Sequence, residues 1–291
     1  MQTLLKPVYY GSRSDQIHLW HLTDLHLGAR ACDEKLLDKH IEEIANDPLA
    51  RWIGGGDYVE AIGYIGDKRF QMDTLAPWLW GTNDIMGAQR DYAVKKLSPI
   101  ADKCLALVGG NHERAAQQYH GRELYWEIVC GIAKAGNVPP ETLGLGYQGF
   151  VVAPFRRGTP ESYGSTWYFS IRVHHGYGGG SNHTGTLYEA LSTFEADLTL
   201  FGHRHVRAFA DMYTVAPDAK KGWKQKYRAG VFTASFLNAY IKPSTPEKPI
   251  DTYIKRTKMK PMPLGTRPIT IDPDAQTFEV VMRSDKVSLA S

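Results

Sequence analysis

Ile17-His18-Leu19-Trp20-His21-Leu22-Thr23-Asp24-Leu25-His26-Leu27-Gly28 begins as a strand and ends on two side chains of metal-ligand type. Ile17, Leu19, Trp20 and Leu22 give the apolar content of a buried strand over Ile17–Leu22, which stops at Thr23-Asp24. Working outward, the same sequence event recurs. Trp52-Ile53 runs into Gly54-Gly55-Gly56-Asp57, and Cys104–Val108 runs into Gly109-Gly110-Asn111-His112-Glu113. A strand through Trp167, Phe169, Ile171 and Val173 ends at His174-His175-Gly176. Leu198–Phe201 leads into Gly202-His203-Arg204-His205. In an α/β sheet, sites form outside the carboxyl ends of strands, so five polar clusters at five strand ends predict one shared site.

Helices fill the spaces between. Leu36, Leu37, Ile41, Ile44 and Ala45 recur at helical spacing over about Cys32–Asn46, with Asp33 as the cap. Residues 60–103 read as a mostly helical insertion in which Phe70, Leu75, Trp78 and Trp80 make a small core. His112–Ala135 reads as one or two helices, and Leu187–Ala196 as another. Further strands are expected at Val206–Met212, Tyr227–Ala234, Ile269–Ile271 and Phe278–Met282. The expected fold is α/β: a two-layer β-sandwich of mixed sheets flanked by helices, forming one domain over residues 1–291.

Composition sets bounds. At 291 residues, with 43% hydrophobic and 22% charged residues, the chain can bury a substantial core. No apolar stretch is long enough to span a bilayer, and the first twelve residues lack the apolar core of a secretory signal. Cys32, Cys104 and Cys130 are an odd, widely spaced set that asks for no oxidising compartment. A cytoplasmic setting is the expectation. The net charge of +3 is unevenly spread. Residues 220–260 carry eleven lysines and arginines against Glu247 and Asp251, a local balance of +9 that leaves −6 for the rest. This basic, proline-containing segment, about 218–266, reads either as a surface for a polyanion or as a solvated loop. Trp223, Tyr227, Tyr240 and Tyr253 are interleaved with its charges, as in strands that track nucleic acid, or are ordinary strand aromatics.

Asp24 and His26 are two apart at a strand end, as are His203 and His205, so each pair can point one way. Asp57 can bridge two cations, Asn111 offers an amide oxygen and His175 an imidazole nitrogen. The order D-x-H, G-D, G-N-H-E, H, G-H-x-H over residues 18–205 resembles the calcineurin-like metallophosphoesterase superfamily. The resemblance implies a four-layer α/β/β/α fold and two divalent metal ions. One would be held by Asp24, His26 and His205, the other by Asn111, His175 and His203, with Asp57 bridging. His174 is the alternative to His175. The oxygen and nitrogen ligands, without cysteine, suit Mn²⁺ first, or Fe or Zn²⁺. The resemblance also implies that a metal-bridging hydroxide attacks the phosphorus while His112 faces the leaving group, with Glu113 orienting its ring. Glu60 is expected behind the ligands.

The substrate is a separate question. His21–Gly28 and Gly55-Gly56-Asp57 look like the DNA-repair exonuclease branch, and the chain as a whole looks like compact phage and prophage phosphoesterases. With the basic segment, these lean toward a nuclease acting on DNA. The alternatives are a phosphomonoesterase acting on phosphoproteins or small phosphates, then a cyclic-nucleotide phosphodiesterase or a binding module without turnover. Arg114 and Arg204 are candidate phosphate holders or paired surface residues. His174 and His183 are candidate substrate contacts, and Tyr58 either stacks on a base or packs. Gly178-Gly179-Gly180 reads better as a loop passing close to the metals than as a phosphate cradle.

Overall fold

The computed structural model describes residues 1–62, 72–219, 221–238 and 262–281. Its first half comprises β1 (Gln2–Leu5), β2 (Val8–Tyr10), β3 (Ile17–Leu22), α1 (Glu34–Asn46), β4 (Ala50–Gly54), α2 (Ile85–Leu97), β5 (Cys104–Leu107), α3 (Asn111–His120) and α4 (Leu124–Ala135). The second half comprises β6 (Gln148–Gly158), β7 (Tyr163–His174), α5 (His183–Thr193), β8 (Leu198–Phe201), β9 (Ala208–Asp218), β10 (Gly222–Phe232), β11 (Ile269–Asp272) and β12 (Thr277–Val280).

Side-chain alternation along β3 builds two layers at once. Ile17 and Leu19 point into the space between two sheets, where they meet Val151, Phe169, Ile171, Leu198 and Val231. Trp20 and Leu22 point the other way, into a core with Leu37, Ile41 and Ile44 of α1 and Ile128 and Ile132 of α4. The first sheet has the order β12-β11-β3-β4-β5, with β3, β4 and β5 parallel. The second has the order β1-β6-β7-β8-β10-β9, with β2 also pairing β6. Its outer face is covered by α5, through Leu187 and Leu191 packed on Phe201 and Phe232. The layers are therefore helices, sheet, sheet and helix, the expected α/β architecture of two mixed sheets flanked by helices.

Local chemistry explains the boundaries. Asp33 accepts from Leu36 N at 3.1 Å and starts α1. Gly121, at φ 63°, ends α3, and Arg122 N reaches back to Ala116 O, which splits the His112–Ala135 region in two. Asn182 accepts from Gly185 N at 2.9 Å, so α5 starts at His183 rather than Leu187. Strands β1 and β2 were not expected. They are short and owe their form to parallel pairing with β6. Strand β9 runs on to Asp218 because β10 pairs with it over its whole length.

Between residues 72 and 103 lie α2 and three 3₁₀ turns, with Leu75, Leu79 and Ile85 in a small core. Trp78 and Trp80 are exposed and contribute little to it. Phe70 and the rest of 63–71 lie outside the described residues, as do 239–261 of the basic segment. No helix among the described residues is long and apolar enough to cross a membrane.

Candidate metal centre

The carboxyl ends of β3, β4, β5, β7 and β8 converge on one rim, and the ligand-type residues follow each end directly. The backbone there is unusual. Eight described non-glycine residues have positive φ, and five are Asp24, His26, Asp57, His203 and His205. Each such residue costs on the order of 1–3 kcal/mol unless its surroundings hold it. The expected strand-like spacing of the 24/26 and 203/205 pairs is corrected by this. Both pairs lie past their strands, and left-handed turns rather than pleat alternation aim their side chains inward.

The surroundings that hold them are visible. Asp24 N donates to Gly56 O at 2.9 Å and His26 N to Asp57 O at 3.0 Å, tying the loop after β3 to the loop after β4. Asp24 O accepts from Phe236 N and from Ser235 Oγ, each at 3.0 Å. Thr23 Oγ1 and His203 N donate to Asp24 Oδ2 at 2.8 and 2.9 Å. Close approach requires glycine at two places. A Cβ on Gly110 would lie 2.0 Å from Asp57 Oδ1, and one on Gly202 would lie 2.5 Å from Asp24 Oδ2.

Two clusters result. In the first, His205 Nε2 lies 3.1 Å from Asp24 Oδ1 and 3.3 Å from His26 Nε2. In the second, His175 Nε2 lies 3.2 Å from Asp57 Oδ2 and 3.0 Å from Asn111 Oδ1, which is 2.7 Å from His203 Nδ1. Asp57 Oδ2 is also 3.9 Å from His26 Nε2, so it stands between the clusters. Asp24, His26 and His205 form one group with metal-binding spacing, and Asp57, His175 and His203 another. The structure thus brings together all seven residues expected as ligands. His174 turns away: its Nδ1 accepts from Gly176 N at 2.7 Å, and its ring lies by Phe201 and Tyr177.

The donor atoms fit divalent cations. His26 Nδ1 donates to the Glu60 carboxylate at 2.9 Å, which leaves Nε2 facing the Nε2 of His205. His26 Nε2 is then an acceptor, open to the N–H of His205 or to a cation. Burial lowers the pKa of His26, only partly offset by Glu60, so the neutral ligand form is favoured. Burial would raise the carboxyls of Asp24 and Asp57, but His205 beside the first and His175 beside the second hold both well below the usual range. Burial would likewise lower His175, yet Asp57 outweighs it and lifts its pKa to about 10. The pocket therefore stabilises positive charge strongly, and a cation held by these atoms would displace that proton.

Other expected residues fall differently. His112 Nδ1 donates to Glu60 O at 2.6 Å, its backbone N donates to Asp57 Oδ1 at 2.8 Å, and its Nε2 stands 4.0 Å from Asp57 Oδ2. Glu113 is engaged by the backbone instead. Its carboxylate accepts from the backbone N–H groups of Gly110, Asp57, Tyr58 and Val59 at 2.7–3.3 Å. Burial and the Asp57 charge raise its pKa to about 7, against the N–H groups that favour the ionised form. The expectation that Glu113 orients His112 is corrected: Glu113 shapes the Asp57 loop, and the Glu60 carbonyl oxygen orients His112. Tyr58 is fully buried and donates to Val108 O at 2.9 Å, so it cannot stack on a base. Arg114 lies over the Tyr147 ring, Arg204 over the Phe232 ring, and His183 edge-on to Phe232. Sequence reasoning anticipated Glu60 only as a supporting residue and missed Thr23, Ser235 and Phe236. Of these, only Thr23 carried a signal, as the hydroxyl directly before Asp24.

The described part of the basic segment points elsewhere. Lys226 is 3.4 Å from Asp197, and Arg228 is 3.1 Å from Glu195. Trp223 lies nine residues before Phe232, hence about 30 Å along the strand from the rim. Lys242, Lys248, Lys255, Arg256, Lys258, Lys260, Tyr240 and Tyr253 lie outside the described residues.

No protein-family profile and no curated protein sequence matches the chain. Among solved structures, it is similar to a metallophosphoesterase from Sphaerobacter thermophilus at 11% identity, over 77% of this chain and 78% of that one, with a TM-score of 0.34. It is similar to Vps29 complexed with zinc from Entamoeba histolytica at 12% identity, over 75% and 74%, with a TM-score of 0.31. It is also similar to the nuclease MPE of Pseudomonas putida at 14% identity, over 89% and 85%, with a TM-score of 0.28.

Proposed function

We propose that this protein is a calcineurin-like metallophosphoesterase that uses two divalent metal ions, Mn²⁺ first, to hydrolyse phosphodiester bonds in nucleic acid. One observation carries the reading: two oxygen–nitrogen clusters joined at Asp57, at the ends of five strands. Asp24, His26 and His205 would hold one ion, Asn111, His175 and His203 the other, and Asp57 would serve both. Bound there, the ions would polarise phosphoryl oxygens and make water acidic enough to supply hydroxide near neutral pH.

The chain's own groups do the rest. With Nδ1 pinned to Glu60 O, the His112 ring cannot swing, and its Nε2 faces the centre beside Asp57. A proton on that nitrogen is placed to reach a departing alkoxide. Glu60 acts twice, fixing His112 through its carbonyl and His26 through its carboxylate. Glu113 has no part in proton transfer and keeps the Asp57 loop in shape.

The nucleic-acid substrate takes its support from the His21–Gly28 block and from cations on the rim. The paired Lys226 and Arg228 weaken one argument for it, which keeps a phosphomonoesterase as the second reading. The test is a panel with Mn²⁺, Fe²⁺ or Zn²⁺: bis-p-nitrophenyl phosphate, p-nitrophenyl phosphate, and single- and double-stranded DNA. Diester and DNA cleavage are expected. Monoester turnover alone would overturn the nucleic-acid reading, and inactivity with every metal would overturn the enzyme. His112→Ala should cut the rate and keep both metals; a variant that lost its metals would refute that role.

A further inference from the structure

In the second sheet, Gln148, His174, Phe201 and Phe232 stand in register across β6, β7, β8 and β10, forming one row at the rim. The row spans three strand spacings, about 14 Å. His175 and His203, both of the second cluster, lie just beyond the two middle strands. At one end of the row, Tyr147 directly precedes Gln148, and the Arg114 guanidinium lies 5.2 Å from its ring. At the other end, the Arg204 guanidinium lies 5.5 Å from the ring of Phe232, and the ring of His183 lies 6.1 Å from it on another side. The row therefore carries a guanidinium near each of its ends, with His175 and His203 beyond its two middle strands.

Arg114 hydrogen-bonds the Tyr147 side chain, but neither guanidinium is neutralised by a carboxylate among the described residues. Arg90, Arg122, Arg157 and Arg228 each pair with a carboxylate. Among the described residues no carboxylate pairs with Arg114 or Arg204, and Arg204 Nε is buried without an acceptor. Tyr147 and Tyr177 are exposed along the same rim. Guanidiniums without a carboxylate on either side of a centre, with the exposed Tyr147 and Tyr177 rings on the same rim, match a strand whose phosphates and bases alternate.

We infer that a single nucleic-acid strand lies along this rim, resting on the function proposed above. The phosphate to be cut sits at the centre. A phosphate on one side is held by Arg114, and one on the other by Arg204 with His183. A phosphomonoester or a lone diester fills only the middle of this row, so the preferred substrate has phosphates on both sides of the one cleaved.

The test compares a single-stranded oligonucleotide with bis-p-nitrophenyl phosphate, which has no neighbouring phosphates. Arg114→Ala and Arg204→Ala should each lower kcat/KM on the oligonucleotide about tenfold, as expected for a lost hydrogen bond to a charged group, and lower it several-fold less on the small diester. Replacing the neighbouring phosphates by neutral methylphosphonates should cost the wild type as much, with no further loss in the variants. A binding readout stands apart from turnover. In the His112→Ala background, each arginine removed should reduce the slope of log affinity against log salt by about one. Equal losses on both substrates, indifference to methylphosphonates, or an unchanged salt slope would overturn the inference alone. Wild-type inactivity on both substrates would instead overturn the function on which it rests.

Discussion

The two ends of the seven-stranded sheet follow opposite rules. At the rim where β7, β8 and β10 finish, the chain adopts left-handed turns at non-glycine residues, and Arg114 and Arg204 have no carboxylate partner among the described residues. At the far end, β9 and β10 form an eleven-residue antiparallel ladder without a bulge, and Lys226 and Arg228 along it are paired with Asp197 and Glu195. The difference teaches where the molecule keeps its free electrostatic potential. Lys226 and Arg228 of the regular ladder are neutralised locally, whereas Arg114 and Arg204 at the strained end have no carboxylate beside them among the described residues.

The sharpest way to break this contrast is at Asp57. Asp57→Asn should lower activity well beyond the roughly 10–100-fold typical of a residue behind the ligands, with metal content falling by elemental analysis. Full metal occupancy in that variant would remove Asp57 from the centre. Glu113→Ala comes next. Four buried N–H groups would lose their acceptor, so the metal-free protein should lose about 3 kcal/mol in urea unfolding. A stable but slow variant would restore Glu113 as a partner of His112. Glu60→Gln should reduce metal affinity or rate by about 10–100-fold while the fold persists, and a normal titration with Mn²⁺ would count against its grip on His26.

Two smaller effects test the scaffold. Burial lowers the pKa of His21 to about 3, while its Nδ1 lies 2.7 Å from Thr233 Oγ1. The unfolded chain takes up a proton near pH 6.5 that the folded one refuses until far lower. Stability is therefore complete above about pH 6.5 and falls below it, with this residue contributing a slope of about 1.4 kcal/mol per pH unit. Urea unfolding of the metal-free protein at pH 7, 6 and 5 should show the loss, and His21→Gln should reduce it. An identical slope in the variant would assign the acid sensitivity elsewhere. Finally, Gln276, at φ 57° in the turn between β11 and β12, is strained but away from the centre. Gln276→Gly should stabilise by about 1 kcal/mol, seen as a raised denaturation midpoint. No gain would mean that the turn is held by more than its backbone preference.

The grouping of the candidate ligands was largely legible because each follows an apolar run directly, so strand recognition located the residues. The clusters themselves are long-range facts: Asp24 meets His205, and Asn111 meets both His175 and His203, only through the sheet order. Adjacency misled at His112-Glu113, since neighbours on a helix do not face each other. One ring turns to Glu60 and the other side chain to the backbone of 57–59. The basic segment misled for a different reason. A count of charge over a window does not see Glu195 and Asp197, which lie outside it in sequence and beside it in space. Strands β1 and β2 carried no usable signal because pairing, not periodicity, defines them.

The fastening of Asp24 has a temporal consequence. Its carbonyl oxygen is held by Ser235, 211 positions later, and by Phe236. Contacts so distant form late, after the loop entropy between them has been overcome. On the ribosome, residues 24–26 are made early, yet these two bonds to Asp24 wait until residue 236 has emerged. The backbone at Asp24 is thus fully fastened only once the segment around residue 236 has been made.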